Sequence, residues 1–542
     1  MIKLAGNNTE FFKIENKRWI LTSLLFGTLL LLPIFIIFFK IFQDKGDSFK
    51  YLWENLLVEY SLNTLYLVLI TSIFSIIIGV IPAWIISLYK FPGRTFYDIV
   101  LFLPLAIPSY IMAFTYSEIL SFTGPIQRFI RKYFNELYPF FKKDYLQIEV
   151  LGLILAFALS PYIYSVSRVS FSMIGSTYIN ISKNLGLSSF KIFHKIILPL
   201  STPAIFSGLF LVIMEVLNEY GAVKYFGVNT YTAGIFRSWF SMGDIDSAIQ
   251  LASILTIVVF VLIYIERIIN SKSKFNYNSN TNTNYLVKLK NNKIIFAHIA
   301  CVIPFFIGFL FPFVFILNNS LISLESTDFD HLFVLTSNTL LVCFIASVIV
   351  LSFATFFQYS EKITKSKINQ VINKLISLGY AMPGAVVALG LIIIFTTVNK
   401  YFNSVYLIGS FFLLIYALVI RFLAVGKSPI KSSLEKHPQS FDDTAVNLGL
   451  GPMKIFQKIH FPINKSALAI AFILTFIDLM KELPITLILR PFNFDTLATQ
   501  TYEFAVEEML TKSSVYSLMI IIISSFMLLI LRRFINKNTN VS

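Results

Sequence analysis

The chain has 542 residues, of which 56% are hydrophobic and only 13% charged. A soluble protein carries about twice that share of charge, so the composition excludes a water-soluble enzyme and places the chain in a bilayer. The formal net charge of +15 would suit a nucleic-acid partner, but basic residues beside apolar runs report membrane orientation instead, and no nucleic acid is expected.

The opening segment Met1–Arg18 is polar, and the apolar run that follows, from Trp19 to about Phe42, ends without a small-residue cleavage site. It reads as a retained first spanning helix. Runs of roughly 20 apolar residues, enough to cross a bilayer as helix, continue near 62–89, 96–121, 148–170, 203–221 and 247–269. Asn270–Asn292 is rich in Asn, Ser and Lys and reads as a solvated linker. Six further runs follow near 294–317, 334–357, 374–397, 405–425, 465–489 and 514–534. The expected domains are a first half at 1–270, a cytoplasmic linker at 271–293 and a second half at 294–542. With the N-terminus inside, the inner segments hold about twice as many Lys and Arg residues as the outer ones, which predicts both termini in the cytoplasm. Cys301 and Cys343 both lie in apolar runs and read as packing residues.

The two halves match at a constant offset of 263 residues. Asn184-Leu185-Gly186-Leu187 recurs as Asn447-Leu448-Gly449-Leu450, Lys191-Ile192-Phe193 as Lys454-Ile455-Phe456, Lys195-Ile196 as Lys458-Ile459, and Pro199 as Pro462. Beyond the loop, Glu215 falls opposite Asp478 and Glu219 opposite Glu482. Such agreement in one register marks an internal duplication. In each loop a helix-compatible stretch is followed by a glycine where a helix can end, then a second short helix and a proline at the membrane entry. The alternative reading of one such loop is an amphipathic segment on the membrane surface; two copies in register favour a docking element.

These loops resemble the cytoplasmic motif of ABC-importer permeases, in which E-A-A is followed after three residues by Gly and after nine more by Ile-x-Leu-Pro. Gly186, Ile196, Leu198 and Pro199 fit in loop 177–200, and Gly449, Ile459 and Pro462 fit in loop 440–463. The E-A-A positions read Asn180-Ile181-Ser182 and Asp443-Thr444-Ala445, and Phe461 stands where the motif has Leu. The resemblance implies an all-α membrane protein of about twelve transmembrane helices, arranged as two parallel six-helix repeats. It implies that both loops dock on two separate ATPase subunits, so that ATP is hydrolysed by the partners and no cofactor is bound by this chain. The stretches from Met214 to Val228 and from Asp478 to Thr499 further resemble the fused two-half iron(III) permeases. That implies a bacterial inner-membrane location, a periplasmic or extracellular iron-binding protein as donor, and ferric iron as cargo. Related permeases for thiamine, phosphonate, polyamine or inorganic anions share the inner loops and stay open as alternatives.

Ferric iron is a hard cation that prefers oxygen ligands. Glu215 and Glu219, spaced i,i+4 as on one helix face, and their counterparts Asp478 and Glu482 are candidate pathway residues. Acids in spanning helices are costly and usually face a cavity or the bundle interior. The competing role is structural, with these acids paired to nearby bases such as Lys481 or Arg490. No phosphate-cradling glycine loop and no catalytic or metal-binding motif occurs in the sequence, so neither a catalytic site nor a metal site is expected. His194 and His460 read as surface or docking residues. A secondary transporter is the alternative of another class, since twelve helices in a parallel repeat suit it equally; the paired loops argue against it. A membrane-embedded enzyme is disfavoured because the polar residues form no catalytic constellation.

Overall fold

The computed structural model describes residues 2–40, 42, 46–134, 136, 143–174, 181–182, 184–271, 286–289, 292–401 and 407–539. Most of the linker expected at 271–293 lies outside these residues. Among the described residues, eleven helices are long and apolar enough to cross a bilayer, and a bent pair makes twelve if counted as one span.

The chain divides into two compact units that do not follow chain order. One holds Met1–Asp44, Phe329–Thr499 and Ile523–Ser542; the other holds Lys45–Asp328 and Gln500–Ile522. In the first unit the N-terminal helix Ile2–Lys40 packs against helices of the second sequence repeat, Phe329–Thr364, Lys367–Ile376 and Gly384–Tyr401. Trp19 stacks on Phe356 at 5.5 Å. Gly390 lets the helices approach so closely that a Cβ there would stand 2.5 Å from the carbonyl oxygen of Pro33. In the second unit the roles are reversed. The helices between Asn292 and Ser323 open the second repeat, yet they pack on Leu57–Leu88, Ser109–Leu120 and the neighbours of these helices. The Tyr116 hydroxyl donates to the carbonyl of Ile307 at 2.6 Å. Each unit therefore contains a helix borrowed in sequence from the other repeat.

Small residues set the tightest packing, as expected where lipid removes the hydrophobic drive between helices. Helix Leu57–Leu88 runs along Ile148–Met173. The hydroxyls of Thr71 and Ser75 donate to the carbonyls of Gly152 and Ala156, each at 3.3 Å. Cys301 and Cys343 are buried free thiols. The sole sheet among the described residues is a two-residue parallel pairing of Tyr89–Lys90 with Val287–Lys288.

The expected third span at 96–121 is not one straight helix. The segments Arg94–Ala106 and Ser109–Tyr133 meet at 92°. Pro108 lies at the break, where it offers no amide to continue the ladder and biases Ile107 toward extended backbone, and Ile107 has φ −95° and ψ 115°. The second repeat breaks in the same way. Helix Lys367–Ile376 and the turn Leu378–Ala381 precede Pro383, and the span begins only at Gly384, not near 374. The following span is Phe411–Leu434, also displaced from the expected 405–425.

A different device carries other prolines. The expected short helix before Pro199 is continuous with the span, as is that before Pro462, through one π-helical turn each, at Phe193–Ile197 and Phe456–His460. A third π-turn, Phe306–Leu310, precedes Pro312. In all three the last π residue lies two positions before the proline. A proline cannot donate to the carbonyl four residues back, and the wider turn shifts the pairing to five residues: Leu198 donates to Phe193, Phe461 to Phe456 and Phe311 to Phe306.

Candidate coupling and translocation sites

The two motif loops close in the same way. The amide of Leu187 donates to the carbonyl of Ser182 at 3.0 Å, and that of Leu450 to Ala445 at 3.1 Å. Leu185 donates to Ile181, and Leu448 to Thr444, both at 3.0 Å. The six-to-one bond with a left-handed glycine is the Schellman ending of a helix, and Gly186 and Gly449 have φ of 75° and 78°. Beyond each glycine the next helix starts in the same register, with Ile192 donating to Ser188 and Ile455 to Gly451. The tips expose apolar side chains: Ile181, Leu185 and Phe190 in the first loop, and Leu448 and Met453 in the second. Asn180 lies outside the described residues. Ser182 and Ala445 are buried under their loops. Asp443 and Thr444 are exposed on helix Gln439–Asn447. Ile196 and Leu198 are half-buried and Pro199 is exposed; Ile459 is half-buried and Pro462 exposed.

The second loop differs in its interior. His460, expected at the surface, is fully buried. Its Nε2 lies 2.6 Å from Asp442 Oδ1 and its Nδ1 3.1 Å from Nδ1 of His437, whose ring stacks on it at 5.3 Å and 6°. The neighbouring Tyr359 ring lies 5.4 Å away and its hydroxyl donates to the carbonyl of Pro452 at 2.6 Å. Burial opposes charge on Asp442, but the hydrogen bond and charge of His460, with Lys362 and His437 nearby, hold its carboxyl below the usual range. Only His194 keeps the expected surface position, stacked with Phe190 at 4.3 Å.

The four acids do not form two i,i+4 pairs on continuous helices. Helix Leu198–Asn218 stops before Glu219, whose ψ of 121° is extended, and helix Phe461–Met480 stops before Glu482. Each glutamate instead receives the backbone of the short helix that follows. Glu219 accepts the Ala222 amide at 3.0 Å, and Glu482 accepts the amides of Ile485 at 3.0 Å and Thr486 at 3.3 Å. A carboxylate at a helix start satisfies amides that have no partner within the helix. Both glutamates are buried. Their surroundings differ. Glu219 accepts the hydroxyl of Ser109, the first residue after the Pro108 break, and has Glu215 close by. At the matching place after Pro383 stands Gly384, and the guanidinium of buried Arg421 lies beside Glu482. Of the bases expected to pair with the acids, Lys481 reaches Asp478 at 3.4 Å, whereas Arg490 pairs with Asp495.

A further tie, not anticipated from the sequence, joins each broken segment to the helix ahead of the motif loop. Arg168 holds Asp98 on helix Arg94–Val100 with an Nη2–Oδ2 distance of 2.6 Å. In the other unit Lys427 donates to the carbonyl of Asn373 at 2.5 Å and to Ser377 Oγ at 2.9 Å. Among the described residues, no group of three or more His, Cys, Asp or Glu side chains is placed to hold a metal ion.

Bent and straight apolar spans are joined by a doubled helix–glycine–helix loop, each copy leading through a π-turn into a span. Residues 75–273 match the family described as binding-protein-dependent transport system inner membrane component. An Fe(3+)-transport system permease protein, FbpB 2 of Haemophilus influenzae, is 25% identical over 525 residues, covering 95% of this chain and 98% of its own length. A sulfate transport system permease protein, CysT of Salmonella typhimurium, is 28% identical over 211 residues, 38% of this chain and 73% of its own. A probable ABC transporter permease protein, y4fN of Sinorhizobium fredii, is 20% identical over 495 residues, 86% of each chain. Residues 75–273 thus carry an ABC-permease domain of a binding-protein-dependent family, and the chain as a whole is similar to the fused iron(III) permeases.

Proposed function

We propose that the chain carries ferric iron into the cytoplasm, receiving it from a soluble iron-binding protein and driven by two ATPase subunits docked at loops 177–200 and 440–463. The observation that supports iron is coverage: similarity to the Fe(3+) permease runs through both repeats, while that to the sulfate permease covers 38% of the chain. Oxygen donors suit the cargo, since a hard cation favours carboxylates. We assign contact with cargo to Glu215 and Glu219. Their counterparts have cationic neighbours, Lys481 beside Asp478 and Arg421 beside Glu482, which suits a structural role. Both termini are placed in the cytoplasm, on the side where the basic residues concentrate.

Sulfate is the second reading, supported by the matches to sulfate permeases. The two separate by ATPase stimulation in the reconstituted transporter. An iron-loaded binding protein should raise hydrolysis several-fold over the unloaded form, and a sulfate-loaded one should not. Stimulation by the sulfate-loaded protein alone would overturn the iron assignment.

A further inference from the structure

The His437–Asp442–His460 cluster has no equivalent in the first repeat. At the offset of 263 residues these three positions are Ile174, Ile179 and Ile197. Ile174 and Ile197 are buried, so the first repeat has hydrocarbon where the second has the two histidine rings. Burying the His460 ring, with half-buried His437 and Asp442 against it, costs desolvation unless its hydrogen bonds are complete.

Asp442 accepts from His460 Nε2, and with His437 Nδ1–H as the donor the Nδ1 of His460 accepts. His437 Nε2 is the position left to take the next proton. His437 also lines a cavity of about 310 Å³ that opens beside the loop, giving water a route to it. The charged groups around it come from every neighbouring element. Helix Phe329–Thr364 and the turn after it bring Glu361, Lys362 and Lys365; the end of helix Phe411–Leu434 and the turn after it bring Lys431 and Glu435; and helix Gln439–Asn447 brings Asp442. Lys362 is closest in function, donating to the carbonyl of Leu434 at 2.9 Å and standing 4.0 Å from Asp442.

We propose that the second motif loop is proton-responsive: acidification charges His437 and loosens this loop, while the first loop, with isoleucine at the positions of both histidines, is unaffected. The inference rests on the loops being coupling elements, but its first test does not. Burial, then the charges of Lys362 and His460, outweigh the attraction of Asp442 and hold His437 below its ordinary value of 6.5. A base whose pKa is depressed in the folded state binds its proton more readily when the packing opens. The packed loop is therefore at full stability above the ordinary histidine pKa and loses stability as pH falls below it.

The test is amide hydrogen exchange on the full-length permease in nanodiscs, corrected for intrinsic pH effects, followed at Leu448–Leu450 and Leu185–Leu187. Between about pH 7.5 and about pH 5.5, protection at the second loop should fall by about three- to tenfold and that at the first should stay constant. The variant His437→Ile/Asp442→Ile/His460→Ile, which copies the first repeat, should show no pH response. Should it fail to reach the membrane, His437→Gln serves, because an amide donates to His460 without titrating. Equal responses in the two loops, or an unchanged response in either variant, would overturn the proposal. With ATPase subunits added, coupling should weaken over the same range in the wild type only. Coupling absent at every pH would instead count against the proposed function.

Discussion

Glu482 accepts the amide of Ile485 at 3.0 Å, and at the matching place in the other repeat Glu219 accepts that of Ala222 at the same distance. One acid thus performs the same backbone task twice, yet beside Arg421 in one case and beside Ser109 in the other. Glu482→Gln removes the negative charge beside a buried guanidinium and from the acceptor of two helix-start amides. It should lower membrane abundance and the unfolding temperature. Glu219→Gln keeps neutral partners for a neutral group and should insert normally while slowing iron uptake. Abundance and uptake measured in the same cells decide the matter; normal abundance with normal uptake in Glu219→Gln contradicts the pathway assignment.

Gly384 offers a steric test of the same site. A Cβ at this position would lie 2.7 Å from Glu482 Oε1 and 2.9 Å from Ile485 Cγ1. Gly384→Ala should destabilise the protein by about 1–3 kcal/mol through overpacking, read as a lower unfolding temperature in detergent. The first repeat tolerates Ser109 at its matching place, so Ser109→Gly should cost far less.

The left-handed glycines of the motif loops meet no obstacle: nothing lies within 4 Å of a Cβ built at Gly186 or Gly449. Any penalty at these positions is conformational, about 1–2 kcal/mol for a residue with a Cβ in the left-handed region. Gly449→Asn should retain most ATPase coupling, Gly449→Val should lose much of it, and Gly449→Pro should abolish it. Equal coupling in Asn and Val variants would show that the backbone conformation of the loop is dispensable.

Arg168 and Asp98 form an ion pair where the other unit uses Lys427 on the backbone carbonyl of Asn373. Asp98→Asn alone strands a partly buried Arg168 and should reduce abundance. The double variant Asp98→Asn/Arg168→Gln removes both charges and should recover a measurable part of that loss, as coupled neighbours do in a double-mutant cycle.

Periodicity and charge made the helix count and the duplicated loops legible, because both rest on long apolar runs and on side chains in one register. Backbone irregularity was harder to read. Pro108 and Pro383 break their helices whereas Pro199, Pro462 and Pro312 ride on π-turns, and a proline by itself does not say which. Glu219 was misread as a helix-face residue because the chain turns one residue before it, with no glycine or proline at the turn. The polar cluster was within reach. His437, Asp442 and His460 each fall opposite an isoleucine in the repeat alignment, and that contrast between polar and apolar at a shared position is a sequence signal of a rebuilt interior.

The central claim, an ATP-driven ferric iron permease coupled through two motif loops, is tested most directly by transport in proteoliposomes. These would contain the chain, its ATPase subunits and the iron-loaded binding protein, with labelled ferric iron and labelled sulfate followed in parallel. The account predicts iron accumulation that requires both ATP and the binding protein and is lost with Gly186→Pro or Gly449→Pro. Accumulation of sulfate instead of iron, or iron uptake driven by an ion gradient without ATP, would contradict it.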